Sequence, residues 1–209
     1  MKSNFRKSVC VLDYGSGNVK SVLNILLFLG YDAKISNSSF DIKNSSHIIL
    51  PGVGSYGSAM EKIKKSIPID VLENEVINKC KPFLGICVGM QVLSTIGLEF
   101  GEHNGLGWIP GKVKIHNTKN EPSIHIGWNN TINKQESLLT KNIDEDDDFY
   151  FVHSYSFDID NKDNIVSETS YGSNFPSIIS KKNIYGVQFH PEKSQNSGFK
   201  ILKNFLEKE

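Results

Sequence analysis

The sequence predicts an α/β protein: a mostly parallel central sheet flanked by helices, with an antiparallel or mixed extension built from the C-terminal half. Three observations carry that expectation. Short β-branched apolar runs alternate with helical apolar spacing through the first half of the chain. Glycine-containing turns follow the third and fourth of those runs. After Gly105 the pattern changes to shorter strand-like segments separated by turn residues.

Residues 9–12 read as a short buried strand. Val22, Ile25, Leu26 and Leu29 lie at helical spacing within 19–29, and Gly30 ends that helix. Residues 31–35 and 47–50 read as the second and third strands. Helical patterns follow at 56–65 and, after Pro68, at 69–79, and residues 82–86 form the fourth strand. Strand and helix in repeated alternation imply parallel strands joined by helical crossovers. In the second half, residues 112–116, 124–129, 149–157, 165–169 and 177–179 are strand candidates. No linker-like stretch divides the halves, so these read as an extension of the same sheet and residues 1–209 as one domain. Ile201, Leu202, Phe205 and Leu206 share one face of a closing helix at 199–206.

Composition excludes several functions. Lys+Arg and Asp+Glu each number 23, so no net field favours nucleic acid or an anionic membrane. No apolar run approaches the roughly 20 residues of a membrane span, and no signal peptide is recognisable. Cys10, Cys80 and Cys87 are too few and too irregular for a disulfide framework, which suits a cytoplasmic protein. The run Asp144-Glu145-Asp146-Asp147-Asp148 lacks the glycine and terminal glutamate of a calcium loop and reads as a solvated turn. His47, His103, His116 and His125 are scattered without ligand spacing. They read as surface or locally bonded residues, and neither metal nor cofactor is expected.

The chemistry concentrates in two distant motifs. In Gly85-Ile86-Cys87-Val88-Gly89-Met90-Gln91 an apolar strand runs into a cysteine flanked by glycines, with a helical pattern after it. Such a strand-to-helix elbow presents a nucleophile, and small neighbours permit its strained dihedrals. Cysteine attacks as thiolate, a form favoured by a helix N-terminus and a nearby imidazole. Cys10 and Cys80 lack glycine flanks and read as small buried apolar residues. Far downstream, His190-Pro191-Glu192 spaces a base and a carboxylate two residues apart. On extended backbone their side chains would share a face about 7 Å apart at Cα, with Pro191 holding the geometry. Glu192 could then orient the imidazole toward the sulfur as in a nucleophile-base-carboxylate triad. Pro51-Gly52-Val53-Gly54 follows a buried strand and could turn amides outward for an oxyanion, with the Val88 amide as second donor. It lacks the lysine and hydroxyl of a phosphate-binding loop.

Together these segments resemble the class I glutamine amidotransferases, in order and over nearly the whole chain. Within them the resemblance is to the branch that serves imidazole glycerol phosphate synthesis in histidine biosynthesis. The elbow carries Val88 where leucine is usual. Asp13-Tyr14-Gly15-Ser16-Gly17-Asn18, His125-Ile126-Gly127-Trp128-Asn129 and Tyr150-Phe151-Val152-His153-Ser154-Tyr155 also match. The resemblance implies Cys87, His190 and Glu192 as the triad and Val53 and Val88 as the oxyanion hole. It implies Gly52, Gly54, Gly89, Gln91, His153, Ser154 and Tyr155 around an L-glutamine substrate. It further implies Asn18, Trp128, Tyr150 and Lys193 at the interface with a TIM-barrel cyclase/synthase subunit in a heterodimer. Ile124 stands where the family has proline, a change expected to touch the partner surface. Residues 102–113 resemble a paralogous branch that supplies ammonia to a sugar amidotransferase system for surface polysaccharides, so the partner stays open between the two.

Overall fold

The computed structural model describes residues 7–15 and 18–207; Ser16 and Gly17 of the N-terminal signature lie outside the described residues. The first half runs β1 (Ser8–Val11), α1 (Val19–Phe28), β2 (Asp32–Ile35), α2 (Ser39–Asn44), β3 (His47–Gly52), α3 (Tyr56–Ser66), α4 (Ile69–Glu73), β4 (Phe83–Cys87) and α5 (Val88–Gln91). Short strands follow: β5 (Ile96–Gly97), β6 (His103–Asn104), β7 (Gly111–Ile115), β8 (His125–Asn130) and β9 (Ile132–Asn133). The chain closes with β10 (Asp148–His153), β11 (Tyr155–Ile159), β12 (Ile165–Tyr171), β13 (Ser173–Lys181), β14 (Ile184–Val187) and α6 (Gln195–Leu206).

The main sheet has the order β2-β1-β3-β4-β14-β13-β12-β9. Its first five strands are parallel, and β13, β12 and β9 add on antiparallel. Every residue of β3, β4 and β14 is buried, as expected for central strands covered on both faces. On one side α1 buries Val19, Val22 and Leu26. The α6 helix buries Ile201, Leu202, Phe205 and Leu206. Its Asn204 amide donates to the Leu139 and Lys141 carbonyls at 2.9 and 2.7 Å. The α/β expectation holds.

Several boundaries differ from the sequence reading. The segments 112–116, 124–129 and 149–157 do not extend the main sheet. They form a β8–β10 pair and a separate sheet of order β11-β7-β5-β6. The 149–157 run splits at Ser154, where the chain leaves the β8 partner and joins β7. The helix after Cys87 is one turn long, because the chain must return at once to β5. The 69–79 pattern is α-helical only to Glu73 and then widens into a π-turn over Asn74–Asn78. The α2 helix escaped the sequence reading, although Ser38 caps it by accepting from the Asp41 N–H at 3.1 Å. Within the acidic turn, Asp147 anchors α6 through Ser197 and Lys200 at 2.7 and 2.6 Å.

Candidate active site

Three neighbouring parallel strands bring the motifs together. In register, Gly52 at the end of β3 lies beside Cys87 at the end of β4, and Val187 of β14 lies beside Ile86. The loops at these carboxyl ends therefore open on one crevice, the usual ligand position in open α/β sheets. Primary order put these loops far apart; strand order makes them adjacent.

Cys87 has φ 54° and ψ −111°, strained for a residue with a side chain, and it is buried. The elbow can bend this far because the backbone packs tightly behind it. A Cβ at Gly89 would stand 1.9 Å from the Leu50 carbonyl oxygen, and one at Gly52 would stand 2.6 Å from the Gly89 nitrogen. Gly52 and Gly89 thus let β3 and the elbow touch. A single helical turn aligns few peptide dipoles, so the imidazole is the larger influence on the sulfur.

His190 is fully buried. Its Nδ1 lies 2.7 Å from Glu192 Oε1, and both side chains are shielded from solvent. The ring's Nε2 has no hydrogen-bond partner of ordinary geometry and is left to interact with Cys87. Burial would depress the imidazole pKa. The charge and hydrogen bonding of Cys87, followed by those of Glu192, outweigh burial and push it up to about 10. The backbone differs from the extended strand expected. His190 is extended before Pro191, but residues Pro191–Lys193 form a 3-10 turn. The Lys193 N–H and the Ser194 hydroxyl both donate to the His190 carbonyl, at 2.9 and 2.6 Å, and this turn delivers Glu192 to the ring.

Asn18 also belongs here. Its side chain is buried, with the amide nitrogen 3.3 Å from His190 Nδ1 and donating to Glu192 Oε1. Within this chain the Asn18 side chain thus serves the His190–Glu192 pair. Trp128, Tyr150 and Lys193 do lie at the surface: the Lys193 ammonium sits 5.4 Å from the Tyr150 ring centroid, and Tyr150 meets Trp128 edge-on.

A crevice of about 260 Å³ joins these parts, lined by Val53, Gly54, Cys87, Val88, Gln91 and Glu99 on one side. Ile124, Val152, His153, Ser154, Tyr155 and His190 form the other wall. Ile124 thus stands at the crevice rim and not only on an outer surface. A larger cleft of about 470 Å³ lies at the opposite strand ends around Trp108 and Lys181, and it holds no nucleophile–base pair. Among the described residues no three His, Cys, Asp or Glu groups are arranged to hold a metal ion. Cys10 is buried and its thiol is raised to about 11, chiefly by burial. Cys80 is exposed at a turn with φ 56°, not buried as its sequence suggested.

The sequence model of the family described as glutamine amidotransferase class-I matches residues 10–208. The chain belongs to that family. It is 41% identical over 199 residues to the imidazole glycerol phosphate synthase subunit HisH of Leptospira borgpetersenii, covering 93% of this chain and 97% of that one. It is 43% identical to the HisH 2 subunit of Methanococcus maripaludis, with 95% and 98% covered. Its fold matches the structure of PurLQS from Thermotoga maritima with a TM-score of 0.75 at 19% identity, covering 97% and 98% of the two chains. A putative GMP synthase component of Thermoplasma acidophilum matches at 0.70, with 19% identity and 97% and 93% covered. Both are mixed α/β relatives of this amidotransferase in fold.

Two residues of the amidotransferase were missed in the sequence, Glu99 on the crevice wall and Gln188 buried behind the sulfur. Glu99 follows β5 outside any quoted motif, and its carboxylate accepts from the Tyr56 N–H at 2.7 Å. Gln188 lay within the His-Pro-Glu segment without an assigned task. Its amide nitrogen lies 3.7 Å from Cys87 Sγ, and its oxygen accepts from Gln91 at 3.1 Å. Gln188 alternates with His190 along the strand end, a spacing that could have marked it.

Proposed function

We propose that this amidotransferase hydrolyses L-glutamine to glutamate and ammonia and passes the ammonia to a synthase partner of the imidazole glycerol phosphate type. The observation that carries the reading is the meeting of Cys87, His190 and Glu192 at one crevice on neighbouring strand ends. At about 260 Å³ the crevice lies just below the ~300–1,000 Å³ of drug-sized sites and suits an amino acid. Identity near 40% with HisH subunits over almost their full length supports the synthase branch.

Cys87 Sγ, as thiolate, attacks the side-chain amide carbon of glutamine, and the carbonyl electrons move to oxygen. The amides of Val53 and Val88 receive that oxyanion. Protonated His190 gives its proton to the nitrogen as the C–N bond breaks, so ammonia departs and a γ-glutamyl thioester remains. Neutral His190 then takes a proton from water; the hydroxyl adds, the C–S bond breaks, and glutamate and thiolate are regenerated. Glu192 and Asn18 hold the ring throughout. Glu99 offers a carboxylate for the substrate ammonium group, while Gln91, Gly54 and residues 153–155 shape the remaining wall. Trp128, Tyr150 and Lys193, with exposed Ile126, form the docking face for the barrel partner.

The test is Cys87→Ala in the complex. Glutamine-dependent synthesis should fall to background while synthesis from added ammonium salts persists. Equal loss with both nitrogen sources would refute the assignment.

A further inference from the structure

The β8 strand has two unlike faces. Ile126 and Trp128 point outward, whereas His125 and Asn129 turn toward the crevice wall. His125 is clamped between two rings: Tyr171 stacks on it at 4.2 Å and 21°, and Phe151 at 4.8 Å and 22°. The clamp fixes the imidazole plane, and both ring nitrogens are engaged in contacts along it.

Those contacts have one possible direction. The Asn129 side-chain oxygen accepts from the Asn130 N–H at 2.9 Å, and its nitrogen donates to the Ser170 carbonyl at 3.0 Å. The nitrogen 3.3 Å from His125 Nε2 is therefore a donor, and Nε2 must accept. Neutral His125 then carries its hydrogen on Nδ1, which lies 3.2 Å from His153 Nε2. His153 in turn carries its hydrogen on Nδ1 and donates to the Tyr155 carbonyl at 3.0 Å. The same carbonyl accepts from Gln91 at 3.0 Å, and Gln91 leads through Gln188 to the sulfur.

We propose that His125 and His153 are positioning residues of the glutamine crevice, forming a neutral, one-way hydrogen-bond relay that holds the 153–155 wall against Gln91. This role rests on the glutamine reading above. The wall gains from such support because Ser154 sits at the break between β10 and β11, outside both strands, where one backbone bond holds it, the His116 N–H donating to its carbonyl at 2.8 Å. Adding a proton to either ring would set donor against donor. Burial, followed by the neighbouring imidazoles, lowers His153 to about 3, and burial with His116 lowers His125 to about 4, so both stay neutral in the working range. Tyr171 joins the relay to the rim, since its hydroxyl reaches the Pro122 and Ile124 carbonyls at 3.2 and 3.3 Å.

The test labels Cys87 in the full chain with two probes, the chloroketone analogue of L-glutamine and iodoacetamide. The first reads crevice occupancy through its half-saturation, the second the reactivity of the thiol alone. His125→Phe keeps the stacked ring and removes the relay. It should raise the chloroketone half-saturation about tenfold, the scale of one buried hydrogen bond lost, with iodoacetamide labelling within about twofold of wild type. His125→Asn, whose amide nitrogen reaches the place of Nδ1, should recover most of the loss. Asn129→Leu removes the head of the relay without touching a buried ring and should shift half-saturation in the same direction. An unchanged half-saturation in His125→Phe and Asn129→Leu, or an equal fall with both probes, would overturn the relay alone. Absence of saturable chloroketone labelling in the wild-type chain would overturn the glutamine reading beneath it.

Discussion

Gly89 backs directly onto Leu50: a Cβ on the first would lie 1.9 Å from the carbonyl oxygen of the second. Backbone, not a flexible side chain, blocks that space, so the elbow cannot relax around even a methyl group. Gly89→Ala should destabilise the fold by ~3 kcal/mol or more, at the upper end of overpacking costs. Urea unfolding checks this, and a loss below about 1 kcal/mol would mean that β3 and the elbow can separate cheaply.

The charged state of His190 has a predicted pH window. Burial opposes the proton, but Cys87 and Glu192 outweigh it and raise the ring to about 10 in the folded chain, above the 6.5 of a free imidazole. A raised folded pKa contributes stability that is complete below about 6.5 and is lost as pH climbs through about 10. Glu192→Gln removes one of the charges favouring the imidazolium, so the ring pKa falls. Its alkaline limb of glutamine hydrolysis should move to lower pH, and its melting temperature should vary less between pH 7 and pH 10 than in wild type. Coincident alkaline limbs would show that Glu192 does not set the ring's charge.

Asn18 offers a separation of roles. Its amide donates to Glu192 and approaches His190 inside the protein. Asn18→Leu should slow iodoacetamide labelling of Cys87 in the isolated chain by about 10–100-fold, matching a lost hydrogen bond to a charged group. A variant that labels normally yet binds its partner poorly would leave Asn18 with an interface role alone.

Trp128 is about half exposed and paired edge-on with Tyr150. Trp128→Ala should weaken the complex by ~2 kcal/mol or more, about 30-fold in affinity, as for aromatic interface anchors. Cys87 labelling should stay within about twofold. Calorimetric titration with the synthase partner measures the first effect, and undiminished affinity would place the docking face elsewhere.

The residues decided much of this protein before any folding was considered. Continuous apolar runs forced β3 and β4 into the interior, glycines permitted the bend at Cys87, and Pro191 held His190 extended. These signals are local, so adjacent residues suffice to read them. Tertiary structure alone decided the rest. It turned Asn18 inward, brought Glu99 to the crevice and Gln188 to the sulfur, moved Ile124 to the crevice rim and aligned His125 with His153. Each of those contacts joins segments remote in the chain, and its geometry depends on strand order and ring packing, which no short stretch of residues encodes.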